Sequence, residues 1–178
     1  MRPTYYYLLG LIGSFLTATI GGSFTVLDEW YYSLEQPGWK PDDLVFPVVW
    51  TTIFFLCAIS VGMLLNGASN RKKKFRIAYC FILNAFLNIF WSYLYFFIQR
   101  PDIALLEVVF LWGSILLLIM ISKTVSTIAS LMLFPYLVWV SIASILNYQT
   151  VMHETLNLDR YSKSLVKTLL PWRMPRID

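Results

Sequence analysis

Three runs in this chain carry side chains whose spacing could organise chemistry. In FILNAFLNIFWSYLYFF, Asn84, Asn88 and Ser92 recur at i, i+4 and i+8 with Trp91 alongside, so a helix places them on one face. Amides in so apolar a run need partners and face the inside of a bundle. They serve either as interhelical hydrogen bonds or as the polar lining of a ligand cavity. In LFPYLVWVSIASILNY, Trp139, Ala143 and Asn147 repeat at the same interval, with Ser144 adjacent. An aromatic, a small residue and an amide in a row suit a flat, mostly apolar ligand held by a few polar anchors. Ordinary packing accounts for the Trp and the Ala but leaves Asn147 needing a partner. The third run, WYYSLEQPGWKPDDLVFPVVW from Trp30 to Trp50, is stiffened by Pro37, Pro41 and Pro47. Interfacial preference explains about half of its aromatics. A connection this long in a compact fold is often functional, which makes it a candidate lid.

Other chemistry is poorly served. The single histidine, His153, sits at the edge of a polar tail, so no histidine-based acid–base or metal cluster forms within the apolar segments. Cys57 and Cys80 both lie inside apolar segments and have neither metal spacing nor a disulfide framework. No phosphate-binding glycine loop or G-x-S-x-G elbow occurs, and no inverted repeat of the transporter kind is evident. Glu107 falls about one turn inside an apolar segment, where a carboxylate must be paired, protonated or near water. Arg100, across a short turn, is its candidate partner.

The elements that must position these residues follow from composition. The chain is 58% hydrophobic and 13% charged, against about a quarter charged in an average soluble domain. Five segments have the roughly 20 apolar residues needed to cross hydrocarbon: 5–27, 46–65, 77–98, 103–121 and 128–150. Nothing alternates as barrel strands do. The expected fold class is therefore all-α integral membrane, a five-transmembrane-helix bundle occupying residues 1–150 with a polar C-terminal tail, partly ordered at best, at 151–178. Residues 5–27 are too long for a signal-peptide core and no cleavage pattern clearly follows them, so they read as the first span. Gly10, Ser14, Ala18 and Gly22 place a small residue at every fourth position of that span, which permits close approach of another helix. The short Gln99–Asp102 turn makes the third and fourth spans antiparallel neighbours. Pro135 should kink or start the fifth. The net charge of +4 resides in short basic stretches, chiefly Arg71 to Arg76. These read as topology signals, with that loop cytoplasmic, and not as a nucleic-acid face.

With those elements in place, a resemblance becomes specific. The loop pattern W-x-x-x-L-x-x-P-x-W-x-P, followed by FPVVWT at Phe46–Thr51, resembles the TspO/MBR family of tryptophan-rich sensory proteins and translocator (peripheral benzodiazepine receptor) proteins. LN-x-x-W at Leu87–Trp91 and FPYLVWVSIASILNY at Phe134–Tyr148 resemble its third and fifth helices, and the likeness covers roughly residues 8–150. It implies a multi-pass, usually dimeric five-helix bundle in a bacterial or organellar bilayer. It also implies binding of porphyrins such as protoporphyrin IX and haem, and of synthetic isoquinoline or benzodiazepine ligands, with no cofactor required. Carried onto this sequence, the cavity lining would be Trp30, Trp39, Phe46, Trp50, Asn88, Trp91, Trp139, Ala143 and Asn147. Asn84, one turn before Asn88 on the same face, joins that set. The family's pattern is not followed everywhere. Gln36-Pro37 and Pro41-Asp42 stand where Lys-Pro and Pro-Pro are common, and Asn84 stands where Gln is frequent. Tyr148 has no Lys or Arg within five positions after it, so the cholesterol motif of animal members fails there.

The expected function is that of a membrane receptor or transporter-like protein, not an enzyme, which binds porphyrins or related flat hydrophobic molecules in the bundle and adjusts tetrapyrrole or stress responses. Two further readings stay open. One is light- and oxygen-dependent breakdown of porphyrin with Trp30, Trp50 or Trp139 participating. The other is a membrane scaffold assembled through the small-residue row of the first span.

Overall fold

The computed structural model describes the backbone of residues 4–169 and the side chains of residues 4–157. Among the described residues the chain is helical, with α1 (Tyr5–Phe24), a short α2 (Glu29–Ser33), α3 (Val45–Gly67) and α4 (Arg71–Ser92). A π-helical turn, Tyr93–Phe97, extends α4, and α5 (Pro101–Lys123), a short α6 (Thr127–Met132) and α7 (Phe134–Leu169) follow. Counting α6 with α7, five helical stretches are long and apolar enough to cross a membrane.

Two boundaries differ from the sequence expectation by six residues or more, each for a local reason. Helix α4 begins at Arg71 and not at Ile77, because Asn70 caps it, its side chain accepting from the Lys73 N–H at 2.9 Å. The basic stretch is thus the first turns of a helix. At the other end α7 does not stop near Thr150 but continues to Leu169. The sequence from Val151 to Leu169 contains neither Gly nor Pro, so a helix already nucleated upstream meets nothing that breaks it. Part of the expected tail is therefore helix, and residues 170–178 lie outside the described residues. Pro135 behaves as anticipated, sitting in the first turn of α7 immediately after α6.

The helices form a ring in which α1 lies between α3 and α4, and α5 between α4 and α7. Helix α3 closes the ring against α6 and the start of α7. Side chains such as Phe15 and Phe110, each 70% exposed, point away from it, the arrangement expected when lipid is the solvent. In such a solvent helices associate by packing and by internal hydrogen bonds. Ser60 donates to the Ala129 carbonyl (3.1 Å) and Ser130 to the Ile119 carbonyl (3.0 Å), fastening α6 to α3 and α5.

The α1–α3 seam depends on missing side chains. Gly10 rests on the backbone of Ala58, and a methyl group there would strike the Ala58 carbonyl oxygen. Gly62 receives the Tyr7 ring in the same way. The row of small residues read at every fourth position drifts, because 3.6 residues make a turn. Gly10, Thr17 and Gly21 are buried, whereas Gly13 and Gly22 face open space. Gly10→Ala should therefore destabilise the bundle by about 2 kcal/mol through overpacking, although alanine is the better helix former. Gly13→Ala should not. Thermal unfolding in detergent checks this, with a lowered midpoint expected for Gly10→Ala alone.

Candidate functional site

The connection from Asp28 to Leu44, loop 1, covers one end of the ring, and its polar residues hold it there. Asp28 caps α2 by accepting from the Tyr31 N–H at 3.1 Å. Its other oxygen accepts from Gln99 Nε2 at 3.2 Å. Gln99 is the non-glycine residue with positive φ (55°) in the turn between α4 and α5, so a strained turn and the lid are tied together. On the far side, Trp39 Nε1 donates to Gln149 Oε1 of α7 at 2.9 Å, and His153 Nδ1 lies 3.4 Å from Glu35 Oε2. Within the loop, Lys40 pairs with Asp43 and donates to the Tyr31 hydroxyl at 3.1 Å. The Lys40 ammonium also lies 5.8 Å from the Phe46 ring centre.

Beneath the loop is a cavity of about 50 Å³. Phe46, Trp91, Ala143 and Asn147 line it, which brings together four of the residues singled out from sequence. Loop 1 adds Tyr31, Gln36, Pro37 and Lys40, the π-helical turn adds Tyr95 and Phe96, and α7 adds Leu146 and Thr150. Sequence reasoning passed over these eight. Tyr95 follows Trp91 by four residues and carries a helical signal, its ring stacking on the indole at 5.1 Å. The wider π turn then brings Phe96 to the same face, a local geometry the residue pattern does not announce.

The other candidates take up supporting positions. Trp139, buried one turn from Ala143, meets the edge of Phe46 at 5.3 Å. Trp30 packs edge-on to Tyr95 at 6.2 Å, behind the cavity wall. Trp50 stacks on Phe54 at 5.5 Å and meets Tyr136 at 5.8 Å, deeper in the bundle. Trp39 lies outside the cavity as part of the loop's tether to α7. The amides are engaged between helices. Asn88 Nδ2 donates to the Tyr136 hydroxyl at 3.1 Å, and Asn84 Nδ2 donates to Ser114 Oγ at 2.8 Å while facing a different cavity between α1, α3 and α4. Asn147, with its amide oriented to satisfy both ends, donates to the Pro101 carbonyl (2.9 Å) and accepts from the Leu105 N–H (3.1 Å). The partner it needed is thus the first turn of α5.

Glu107 does not pair with Arg100, which is engaged bidentately by Asp102 at 2.6 and 2.8 Å. The buried Glu107 carboxyl and the Trp91 and Trp139 indole N–H groups have no hydrogen-bond partner among the described residues. No cluster of His, Cys, Asp or Glu that could hold a metal ion occurs among those residues. The site can therefore present aromatic faces and one ammonium to a guest, with the two unengaged indole N–H groups buried in or behind its wall.

The Lys40–Asp43 pair titrates outside the membrane spans. The hydrogen bond from Lys40 holds the Asp43 carboxyl below its usual range, outweighing partial burial. Burial pulls Lys40 down, but its bonds to Asp43 and Tyr31 prevail and raise it. A depressed carboxylate contributes stability that is present above its unfolded pKa of about 4 and is lost as pH falls through the folded value. Hydrogen-exchange protection of residues 36–44, the rate relative to an unstructured amide at the same pH, should thus be flat from about pH 5 to 9 and fall below about pH 4. In Asp43→Asn the protection should already be low at neutral pH.

The chain matches the TspO/MBR family over residues 7–152. It is 38% identical over 131 residues to the tryptophan-rich protein TspO of Chlorobaculum tepidum, covering 72% of this chain and 82% of the relative. The tryptophan-rich sensory protein of Cereibacter sphaeroides is 27% identical over 132 residues, 73% of this chain and 80% of its own length. The translocator protein of Bos taurus is 28% identical over 147 residues, 81% of this chain and 85% of its own. The match spans all five apolar helices and the loop that covers the cavity, and the chain belongs to the TspO/MBR family of multi-pass membrane proteins.

Proposed function

We propose that this protein binds a porphyrin, such as protoporphyrin IX or haem, or a related flat hydrophobic molecule, beneath loop 1. The family and the names of its members support a membrane receptor or transporter-like role. The observation that carries the finer reading is the aromatic cavity itself. Phe46, Trp91, Tyr95 and Phe96 offer ring faces, and Lys40 stands at the rim with its ammonium near the Tyr31 and Phe46 rings. A planar macrocycle stacks on such walls, and an ammonium at the rim suits the carboxylates of its propionate arms.

At about 50 Å³ the closed cavity is too small for a tetrapyrrole, since drug-sized ligands occupy roughly 300–1,000 Å³. Binding therefore requires loop 1 to lift. The contacts that must break are the polar tethers Trp39 to Gln149, Glu35 to His153 and Gln99 to Asp28, together with the packing of buried Tyr31 and Leu34 against Leu94, Tyr95 and Ala104. Each polar tether is worth only about 1 kcal/mol, and the apolar area the guest buries has to offset the larger loss of the Tyr31 and Leu34 packing.

A second reading, light- and oxygen-dependent breakdown of the porphyrin, has one feature in its favour. The Trp91 and Trp139 indoles lie against or just behind the cavity wall with their N–H groups unengaged, placed to exchange electrons with a stacked guest. Titration of the purified protein with protoporphyrin IX, followed by tryptophan quenching, tests both readings. Saturable binding is expected, weakened at least tenfold by Ala143→Phe and unchanged by Gly22→Ala. Lys40→Met should weaken the dicarboxylic porphyrin but not its dimethyl ester. Non-saturable quenching would remove both readings. Binding with no tryptophan-dependent product on illumination would remove the second.

A further inference from the structure

The larger cavity, about 240 Å³, lies in the membrane-spanning region away from loop 1, between α1, α3 and α4. Leu9, Gly13 and Ser14 form one side, Phe81, Ile82 and Ala85 the other, with Cys57 and Tyr136 at the back. Leu9 and Ile82 are exposed and nothing lies within 4 Å of where a Gly13 side chain would start, so the cavity opens sideways towards lipid. Both of its ends are closed. Lys74 Nζ bonds the Tyr6 hydroxyl at 3.0 Å and lies 4.7 Å from the Tyr6 ring centre. At the opposite end Gly21 approaches Ile89 and Ser92. From Leu9 to Thr17 the window is about 12 Å tall at 1.5 Å per residue, within the roughly 15 Å depth of one leaflet's hydrocarbon.

Charge stands directly above it. Five cations lie between Arg71 and Arg76 with no acid among them. Arg71 and Lys74 precede Ala78, another lining residue, by seven and four positions, which puts them on the window's face of α4. We propose that this window is a phospholipid site: one acyl chain of an anionic lipid fills the cavity and its phosphate rests on Arg71 and Lys74. The space exceeds the roughly 150 Å³ that admits benzene in a dry cavity. A second helix, about 10 Å across, does not fit a recess closed at both ends. Basic clusters beside membrane spans on the cytoplasmic side attract anionic headgroups, and the site does not depend on what loop 1 covers.

Native mass spectrometry of the full chain in detergent tests the site, with phosphatidylglycerol and phosphatidylcholine bearing identical palmitoyl and oleoyl chains. Phosphatidylglycerol should be retained roughly tenfold better, as expected for two cations near one phosphate. Arg71→Gln and Lys74→Gln should each reduce that preference, whereas Lys72→Gln, on another face, should not. Gly13→Leu should lower retention of both lipids at least fivefold with an unchanged melting temperature. Equal retention of the two lipids in the parent protein would overturn the proposal, as would glycerol phosphate competing as well as the whole lipid. Undiminished lipid retention by Gly13→Leu, together with loss of a dimer, would assign the window to a second copy instead.

Discussion

In hydrocarbon a side-chain amide has to find its partner inside the protein, and three asparagines set the geometry of this bundle by doing so. Asn84 ties α4 to α5, Asn88 ties α4 to α7, and Asn147 ties α7 to the backbone of α5. Each bond contributes only about 0.6–1.7 kcal/mol, but the three join the same three helices pairwise, so no one of these helices slides without breaking two of them. The cavity floor and its α4 and α7 walls rest on this triangle. Helices α1 and α3 are joined differently, by shape, through glycines that admit a backbone and a tyrosine ring.

That division explains what could be read from the residues alone. The spans were legible because an apolar stretch of the required length has only one place to go. The faces bearing Asn84, Asn88 and Asn147 were legible because interval four is the helical repeat. The role of each amide was not, since a cavity-lining asparagine and a helix-tying one have the same spacing. Asn147 faces the cavity and also clasps α5, and only the position of Pro101 relative to it reveals the second role. The expected Glu107–Arg100 pair failed for a comparable reason. Asp102 is nearer and at the water boundary, so it takes the guanidinium at lower desolvation cost. Membership of the family rested on longer patterns, and those patterns coincide with the loop and the two helices that build the cavity.

Loop 1 shows how rigidity and release coexist. Pro37 and Pro41 limit its internal freedom, and Asp28, Lys40 and Asp43 fix its shape through contacts made within the loop. Its attachments to the bundle combine single polar contacts through Trp39, Glu35 and Gln99 with the buried packing of Tyr31 and Leu34 against Leu94, Tyr95 and Ala104. A body whose shape is fixed by its own contacts would move as a unit, at little cost in conformational entropy. The π-helical turn beneath it belongs to α4, so its aromatic faces are in position independently of the loop.

The buried groups left unengaged then acquire a physical meaning. Leaving a donor such as the Trp91 or Trp139 indole N–H without a partner costs about 1–3 kcal/mol each. Trp91 lines the cavity beneath loop 1, and Trp139 stands behind it against Phe46. A guest presenting acceptor atoms to them would recover that free energy on binding, in addition to the area it buries. A purely apolar guest would recover none of it. Two unsatisfied indoles would thus favour a flat guest with polar edges over a purely apolar one, without any group built to grip.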